Sequence, residues 1–562
     1  MLWGKYLIRV VGWIRESWRW IAAAVSGLLL VLAFPPFESG QVAWVALIPL
    51  LLALLVQSHA KPGIPVQTAF KMGLTTGLIF WLITMSWMFR LFDTSPAPAV
   101  LIVIGWLLLC GYCSLFLGVF AMSVAWLAQH IGKDKFWQTL LLTFLIPVLW
   151  VGGEVIRSYL FAGFPWNLLA ISQYRNVLLI QAAQWVGAPG VSGVLMLANT
   201  GLAFTILRYV SPRKQKHYRP HLELFVALLS MALCFRSGVL LVREYTPVIR
   251  SVTISAIQPA IPQIKKWTDE QVDLIHSTFR QLMTQTVKDP EGLPDLIVWP
   301  ETATPYCVTD ERGASKDFVE ELCHWGSPLL VGSMDEVSVG WSVSYYNASF
   351  LFDTNGVVTE HYYKQHLVPF GEFVPLSGII PWLGTLAPMG WNCSPGREAT
   401  VFTLGSLSKW SFSCLICFED IMADLSRAAV KRGARLLVNQ TNDAWFDRSA
   451  GPEQHLAHCV FRCVENRVAA VRVANSGVSC LIEPTGLIVE QTENGIGRPP
   501  EAAVLRWQVP IPEADFELTA YTRYGDWLLG IPCGVVAVIC FVLAWQTLRR
   551  KTLLADKGVD QL

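Results

Sequence analysis

The sequence predicts a multi-span α-helical membrane domain, with about eight transmembrane helices, joined to an α/β layered domain. Two observations carry this. First, 53% of the 562 residues are hydrophobic and only 15% charged, too apolar a balance for a soluble chain of this length. The 24 tryptophans agree, since indole favours membrane–water boundaries. Second, from about residue 245 charged residues return and short β-type runs alternate with helical ones, the signature of a layered α/β unit. Residues 1–242 are therefore read as a membrane domain with seven spans, 243–525 as a second domain, and 526–562 as a last span and tail. The net charge of +1 gives no indication of a nucleic-acid partner.

The spans are placed at 20–37, 42–56, 69–92, 98–127, 136–156, 191–210, 221–242 and 526–545. Most approach the ~20 residues a helix needs to cross hydrocarbon; the second is short and the fourth is long enough to tilt. The basic, aromatic start MLWGKYLIRVVGWIRESWRW has no small-residue cleavage site, so it reads as an uncleaved first span. Lys5, Arg9, Arg15 and Arg19, then Lys61 and Lys71, Lys133 and Lys135, the loop RYVSPRKQKHYRPH and the final LRRK all fall on one side of an eight-span chain. That side is the cytoplasm by the positive-inside rule, which places both termini inside and 243–525 outside.

Three features interrupt the membrane half. The prolines of FPPF, 34–37, break the first span. Glu154 and Arg157 are three apart, so they can pair on one helical face. FAGFPWNL, 161–168, is too short and too rich in Gly and Pro to span, and reads as an interfacial or re-entrant loop. Structural punctuation and a substrate path are both open for these features. GAPGVSG at Gly187 has neither P-loop nor dinucleotide-binding spacing.

The second domain runs through VTISAIQPA, a helix at 268–287, LPDLIVWPE and PLLVGSM, then a hairpin at 345–364 turning at Asn355-Gly356. VFTLG, FSCLIC, ARLLVNQTND, a helix at 453–474 and SCLIEPTGLIVE complete it. Three reactive residue types sit at strand ends: Glu301 after DLIVWP, Lys364 after HYY and Cys417 after FSCLI. A cysteine at a strand-to-helix turn is held out of the core, with helical N–H groups expected to lower its pKa. Together the three form a chemically complete set. A carboxylate takes the thiol proton, a thiolate attacks a carbonyl, and an ammonium stabilises the oxyanion. Singly, each has a plainer reading: a helix cap, a solvated strand end and a buried free cysteine. No His/Cys cluster has zinc spacing, so no metal is expected.

In their flanks, VWPETATP, YYKQHLVPFGEFVP, LICFEDI and then NQTNDAWF, these residues resemble the nitrilase superfamily of carbon–nitrogen hydrolases. The resemblance implies an α-β-β-α sandwich and a Glu-Lys-Cys triad. With the spans, FPPF, FAGFPW and HLVPFGEFVPL, nearly the whole chain resembles one membrane branch, the apolipoprotein N-acyltransferase family. That likeness implies Cys417 as nucleophile, Glu301 as general base and Lys364 as oxyanion stabiliser. Glu372 resembles the family's second active-site glutamate, Glu419 an essential acidic position, and Trp267 a functional tryptophan. Phe418 departs from the tyrosine associated with its position, which puts a phenol role in doubt but not an aromatic or backbone one. The implied reaction takes an acyl chain from a membrane phospholipid through a Cys417 thioester to the α-amino group of a diacylglyceryl-modified apolipoprotein. It implies ping-pong order and a bacterial inner membrane location, with the catalytic domain periplasmic. No cofactor is expected, and a monomer is. A membrane-tethered amidase acting on a soluble amide, and a lipid transporter or scaffold with an inert domain, are the alternatives.

Between Glu372 and Arg397 the chain carries no Lys, Arg, Asp or Glu. Trp382 and Met389 there suggest a lid dipping into the bilayer and contacting the acyl chain, against the alternative of a buried loop. Of the 13 cysteines, Cys307, Cys323, Cys393, Cys414, Cys459, Cys463 and Cys480 would share the oxidising side with Cys417, where disulfides are permitted.

Overall fold

The computed structural model describes all residues except 1, 57–62, 96, 211–220, 245–249, 263–270, 311–313, 341, 376, 380–391, 406–408, 447, 493–500, 514–515, 528–529 and 531–562. Among the described residues, five helices are long and apolar enough to cross a bilayer: Val66–Thr84, Ala99–Ile131, Phe136–Tyr159, Ala183–Val210 and Leu222–Arg243. Leu107, Leu108, Leu115 and Val119 of the second of these face outward, as a lipid-facing surface requires. The expected first and second spans correspond to shorter apolar stretches, 17–33 and 40–55. A helix covers Leu2–Ala33 and stops at FPPF; a 3₁₀ turn at Gly40–Trp44 and a short helix at Ile48–Leu55 follow. The third span ends at Thr84, earlier than expected, and the chain continues as a 3₁₀ turn at Ser86–Arg90. The sixth starts earlier, at Ala183, because a kink at Gly187 (φ 65°) lets two helical pieces join. The expected eighth span, 526–545, falls almost wholly outside the described residues, as does the basic loop at 211–220.

The second domain is two six-stranded sheets face to face. In one, β1 (Arg250–Gln258), β2 (Leu296–Val298), β3 (Leu329–Val339), β4 (Ser342–Phe352), β5 (Val358–Tyr363) and β12 (Ala503–Ile511) lie in the order 12-1-2-3-4-5. In the other, β6 (Phe402–Leu404), β7 (Trp410–Ile416), β8 (Leu436–Thr441), β9 (Ala469–Ala474), β10 (Cys480–Ile482) and β11 (Ile488–Gln491) lie in the order 11-10-9-8-7-6. Alternate residues from both, Val252, Ile254, Val298, Phe412, Ile416, Val438 and Val471 among them, fill one core between the sheets. Helices Val272–Val287 and Ala314–Cys323 cover the outer face of the first sheet. Helices Ala423–Lys431 and Gly451–Asn466 cover the second, and their apolar side chains join the core of the membrane helices without a break. The implied α-β-β-α sandwich is thus present, with one helical layer resting on the membrane domain.

In the second domain, one expected helix ends early. The helix expected at 453–474 ends at Asn466, and Ala469–Ala474 is β9. Arg467 stops the helix in the left-handed conformation (φ 58°), its N–H reaching back to Cys463 O. The β-branched residues beyond it then pair with β8, where tertiary context overrides a continuous apolar pattern.

Candidate active site

Cys417 directly follows β7 and opens a 3₁₀ turn at Cys417–Ile421. Its φ of 52° is unusual for a residue with a Cβ and turns it out of the sheet register, leaving it partly exposed at the turn while Cys414 and Ile416 point into the inter-sheet core. The turn is bolted down by Glu419, which is wholly buried. Its carboxylate accepts from Ile416 N (2.7 Å), Gln365 N (2.6 Å), His366 N (3.0 Å) and the Tyr362 hydroxyl (2.8 Å). Glu419 therefore ties the Cys417 turn to the segment that follows Lys364.

Across the inter-sheet core, Glu301 follows β2 and Lys364 follows β5. Lys364 Nζ lies 3.4 Å from Glu301 Oε1 and 3.0 Å from Glu372 Oε1, and all three side chains are at least nine-tenths buried. Asn347 of β4 donates through Nδ2 to both carboxylates, at 2.8 Å each. Burial alone would lower the Lys364 pKa, but Glu372 and Glu301 overcome it and hold the ammonium well above its ordinary value. The Cys417 thiol moves the other way from the sequence expectation: burial, then the Glu301 charge, push its pKa up, with Lys364 opposing. The following element is one short 3₁₀ turn, whose N–H groups do not offset that burial. A thiol whose pKa is raised this way needs a base to take its proton before it can act as a nucleophile.

The aromatic ring of Phe418 packs against the membrane domain. It stacks on Trp166 at 5.6 Å and 9° between planes, and on Phe164 at 6.2 Å. FAGFPWNL thus forms a wall beside Cys417. Glu154 and Arg157, which could pair on one helical face, hold this loop: Arg157 Nη1 donates to Phe164 O (2.6 Å) and Trp166 O (2.8 Å), and Glu154 Oε1 accepts from Leu169 N (2.7 Å). Gln454, wholly buried in helix Gly451–Asn466, accepts from Trp166 Nε1 (2.8 Å) and Trp87 Nε1 (3.2 Å). Its Nε2 donates to Pro35 O (2.9 Å) and Thr84 O (3.2 Å). FPPF, the third span's end and FAGFPW converge on that one amide.

Of the nine residues singled out by sequence, Glu301, Lys364 and Glu372 form one cluster, and Cys417, Phe418 and Glu419 the turn beside it. Trp267, Trp382 and Met389 lie outside the described residues. The seven cysteines expected on the side of Cys417 are all free thiols. Residues 26–201 match the model of the apolipoprotein N-acyltransferase N-terminal domain, and 253–496 that of carbon–nitrogen hydrolases. The apolipoprotein N-acyltransferase of Geobacter metallireducens is 35% identical over 93% of this chain and 95% of its own length. The chain belongs to the apolipoprotein N-acyltransferase family. Relatives of that name from Chlorobaculum tepidum (29% identical, 92% of this chain, 95% of theirs) and Nitrosomonas europaea (30%, 84% and 89%) extend the likeness. Membership of this bacterial family, together with five apolar helices, makes it a bacterial membrane protein.

Sequence reasoning missed Asn347 and Gln454 in this apolipoprotein N-acyltransferase family member. Both are amides without reactive chemistry. Asn347 lies among serines and aromatics in β4, and Gln454 among other polar residues of its helix, so no sequence signal singles either out.

Proposed function

We propose that this chain transfers an acyl chain from a membrane phospholipid to the N-terminal amine of a diacylglyceryl-modified apolipoprotein through a thioester on Cys417. The observation that carries this reading is the buried Glu301–Lys364–Glu372 cluster, to whose Lys364 segment Glu419 ties the Cys417 turn. Glu301 takes the thiol proton as sulfur attacks the ester carbonyl. The Lys364 ammonium, and the N–H of Phe418 at the turn, stabilise the tetrahedral oxyanion. The carbon–oxygen bond then breaks, and the lysophospholipid leaves with the proton held by Glu301. In the second half the apolipoprotein amine attacks the thioester, Glu301 takes the amine proton, the carbon–sulfur bond breaks and Cys417 is re-protonated. Acyl donor and acceptor thus occupy the site in turn, in ping-pong order. Glu372 and Asn347 fix the charges around Lys364.

The charge pattern of the loops supports an inner-membrane enzyme with its catalytic domain on the periplasmic side, where both lipid-anchored substrates lie. The test is intact-mass analysis of protein from membranes. An acyl adduct on Cys417 is expected, absent in Cys417→Ala and strongly reduced in Glu301→Gln. An adduct that persists in Cys417→Ala would sink the assignment. A membrane-impermeant thiol reagent should reach single cysteines placed at exposed sites of 243–525 from outside and leave one placed at 213–216 unlabelled; the reverse would refute the orientation.

A further inference from the structure

Beneath the nucleophile turn lies a closed ring of buried polar groups that these steps leave unused. Asp420 comes from the turn after β7, Asp443 from the turn after β8, Arg472 from β9 and His455 from helix Gly451–Asn466, and all four side chains are wholly buried. Arg472 bridges the aspartates, Nη1 to Asp420 Oδ2 and Nη2 to Asp443 Oδ2, at 2.7 Å each. His455 bridges them on their other oxygens, with Nε2 2.7 Å from Asp420 Oδ1 and Nδ1 2.9 Å from Asp443 Oδ1. The ring meets the active site at one atom, the carbonyl oxygen of Cys417. That oxygen lies 3.2 Å from His455 Nε2 and accepts from Asn439 Nδ2 at 3.1 Å, while Asn439 Oδ1 accepts from Arg472 at 2.9 Å.

Acceptor oxygens beside both imidazole nitrogens call for a proton on each. Two carboxylates against one guanidinium leave a negative charge that an imidazolium cancels, as a buried cluster requires. Arg472 Nη2, 2.9 Å from Nδ1, opposes this. Of the other charged groups on the helix of His455, Arg462 is taken up by Glu465, and His458 is held neutral by burial and by its cationic neighbours; Glu453 sits two residues before it. The membrane domain contributes the Trp166 ring, 5.9 Å away. Burial lowers the His455 pKa, but Asp420 and Asp443 raise it to about 9.

The backbone of Cys417 gives this ring its purpose. A left-handed residue with a Cβ persists only where its surroundings over-determine it. Two donors on the Cys417 carbonyl fix the peptide that joins it to Phe418, and with it the direction of Sγ and of the Phe418 N–H.

We propose that His455 is a positioning residue for acyl transfer: as an imidazolium braced by Asp420 and Asp443, it donates to the Cys417 carbonyl and holds the nucleophile turn in its left-handed conformation. This rests on Cys417 being the acylated residue. The test is single-turnover acylation of the full-length protein by phosphatidylethanolamine in detergent micelles, read as intact mass and located by peptide mapping, from pH 6 to 10.5. The wild-type rate should fall through an alkaline limb near pH 9. Asp420→Asn removes one counter-charge and should move that limb down by about one pH unit. His455→Gln should acylate at least about tenfold more slowly at pH 7.5 and lose the limb. A wild-type profile without a limb, a limb unmoved in Asp420→Asn, or a wild-type rate and profile in His455→Gln would overturn the proposal. If His455→Gln does not fold, the Asp420→Asn limb decides. An adduct mapped to another residue would refute the nucleophile instead, so the two failures are distinguishable.

Discussion

Glu301 rests against β3 so closely that a Cβ on Gly332 would stand 2.3 Å from Pro300 O and 2.8 Å from Glu301 Cα. Those are backbone atoms, so nothing flexible gives way. Gly332→Ala should therefore slow acylation of Cys417 by about a hundredfold, the cost of misplacing a reacting group by an ångström, with the lipid-concentration dependence preserved; acyl-adduct kinetics check this. Asn347→Asp keeps the shape of the side chain but sets a third carboxylate beside Glu301 and Glu372. Its acylation should fall, and recover in part toward lower pH as one carboxyl takes a proton, which a pH–rate profile checks. His455 also bears on stability. Its folded-state pKa, about 9, stands above the unfolded value of ~6.5, so its contribution is fully present below pH 6.5 and is lost as pH rises through 9. On the order of 3 kcal/mol of domain stability should disappear over that window, measurable as a melting temperature that falls with pH and falls less in His455→Gln. Glu301, Lys364 and Cys417 stood out in the sequence as candidates because each carries a reactive group at or just past the end of a strand. Asn347 and His455 were not, because their importance lies in what their hydrogen bonds hold, and those partners come from distant strands and turns.

The loop FAGFPWNL shows the same limit in an element. Its composition says that it cannot span, and the structure agrees, but no periodicity reveals that Trp166 stacks on Phe418. With the ring in that stack, a hydroxyl at position 418 is not what the wall requires. Phe418→Tyr should keep acylation within about threefold, whereas Phe418→Ala removes an aromatic pair of ~1 kcal/mol together with its buried area and should slow acylation by phospholipid markedly. Equal losses in both variants would show that position 418 acts through something other than its ring. Boundaries were least legible where one apolar run serves two elements: 453–474 reads as a single helix until the left-handed cap at Arg467 divides it. The hairpin's turn was legible, since Asn355-Gly356 marks it and Gly356 takes a positive φ of 79°, but β4 starts at Ser342 and a five-residue loop joins it to β5.

In the molecule as a whole, the two domains share one buried apolar cluster that runs from Leu30 and Trp81 to Leu456, Phe461 and Val464. Gln454 sits inside it with five hydrogen bonds to the membrane half, to Trp87, Trp166, Asn167, Pro35 and Thr84. Gln454→Leu keeps the apolar volume but strips a partner from Pro35 O, Thr84 O and two indole N–H groups, at a cost of about 1–3 kcal/mol for each group left unpaired. The expected result is a clear drop in melting temperature with acylation by phospholipid impaired, whereas an unchanged melting curve would show the amide to be dispensable. The shared cluster also sets the natural history open to this catalytic half. Cut loose at residue 243, it would present the outer faces of helices Ala423–Lys431 and Gly451–Asn466 to water and precipitate. It cannot wander off as a free enzyme, because the membrane helices are its permanent solvent.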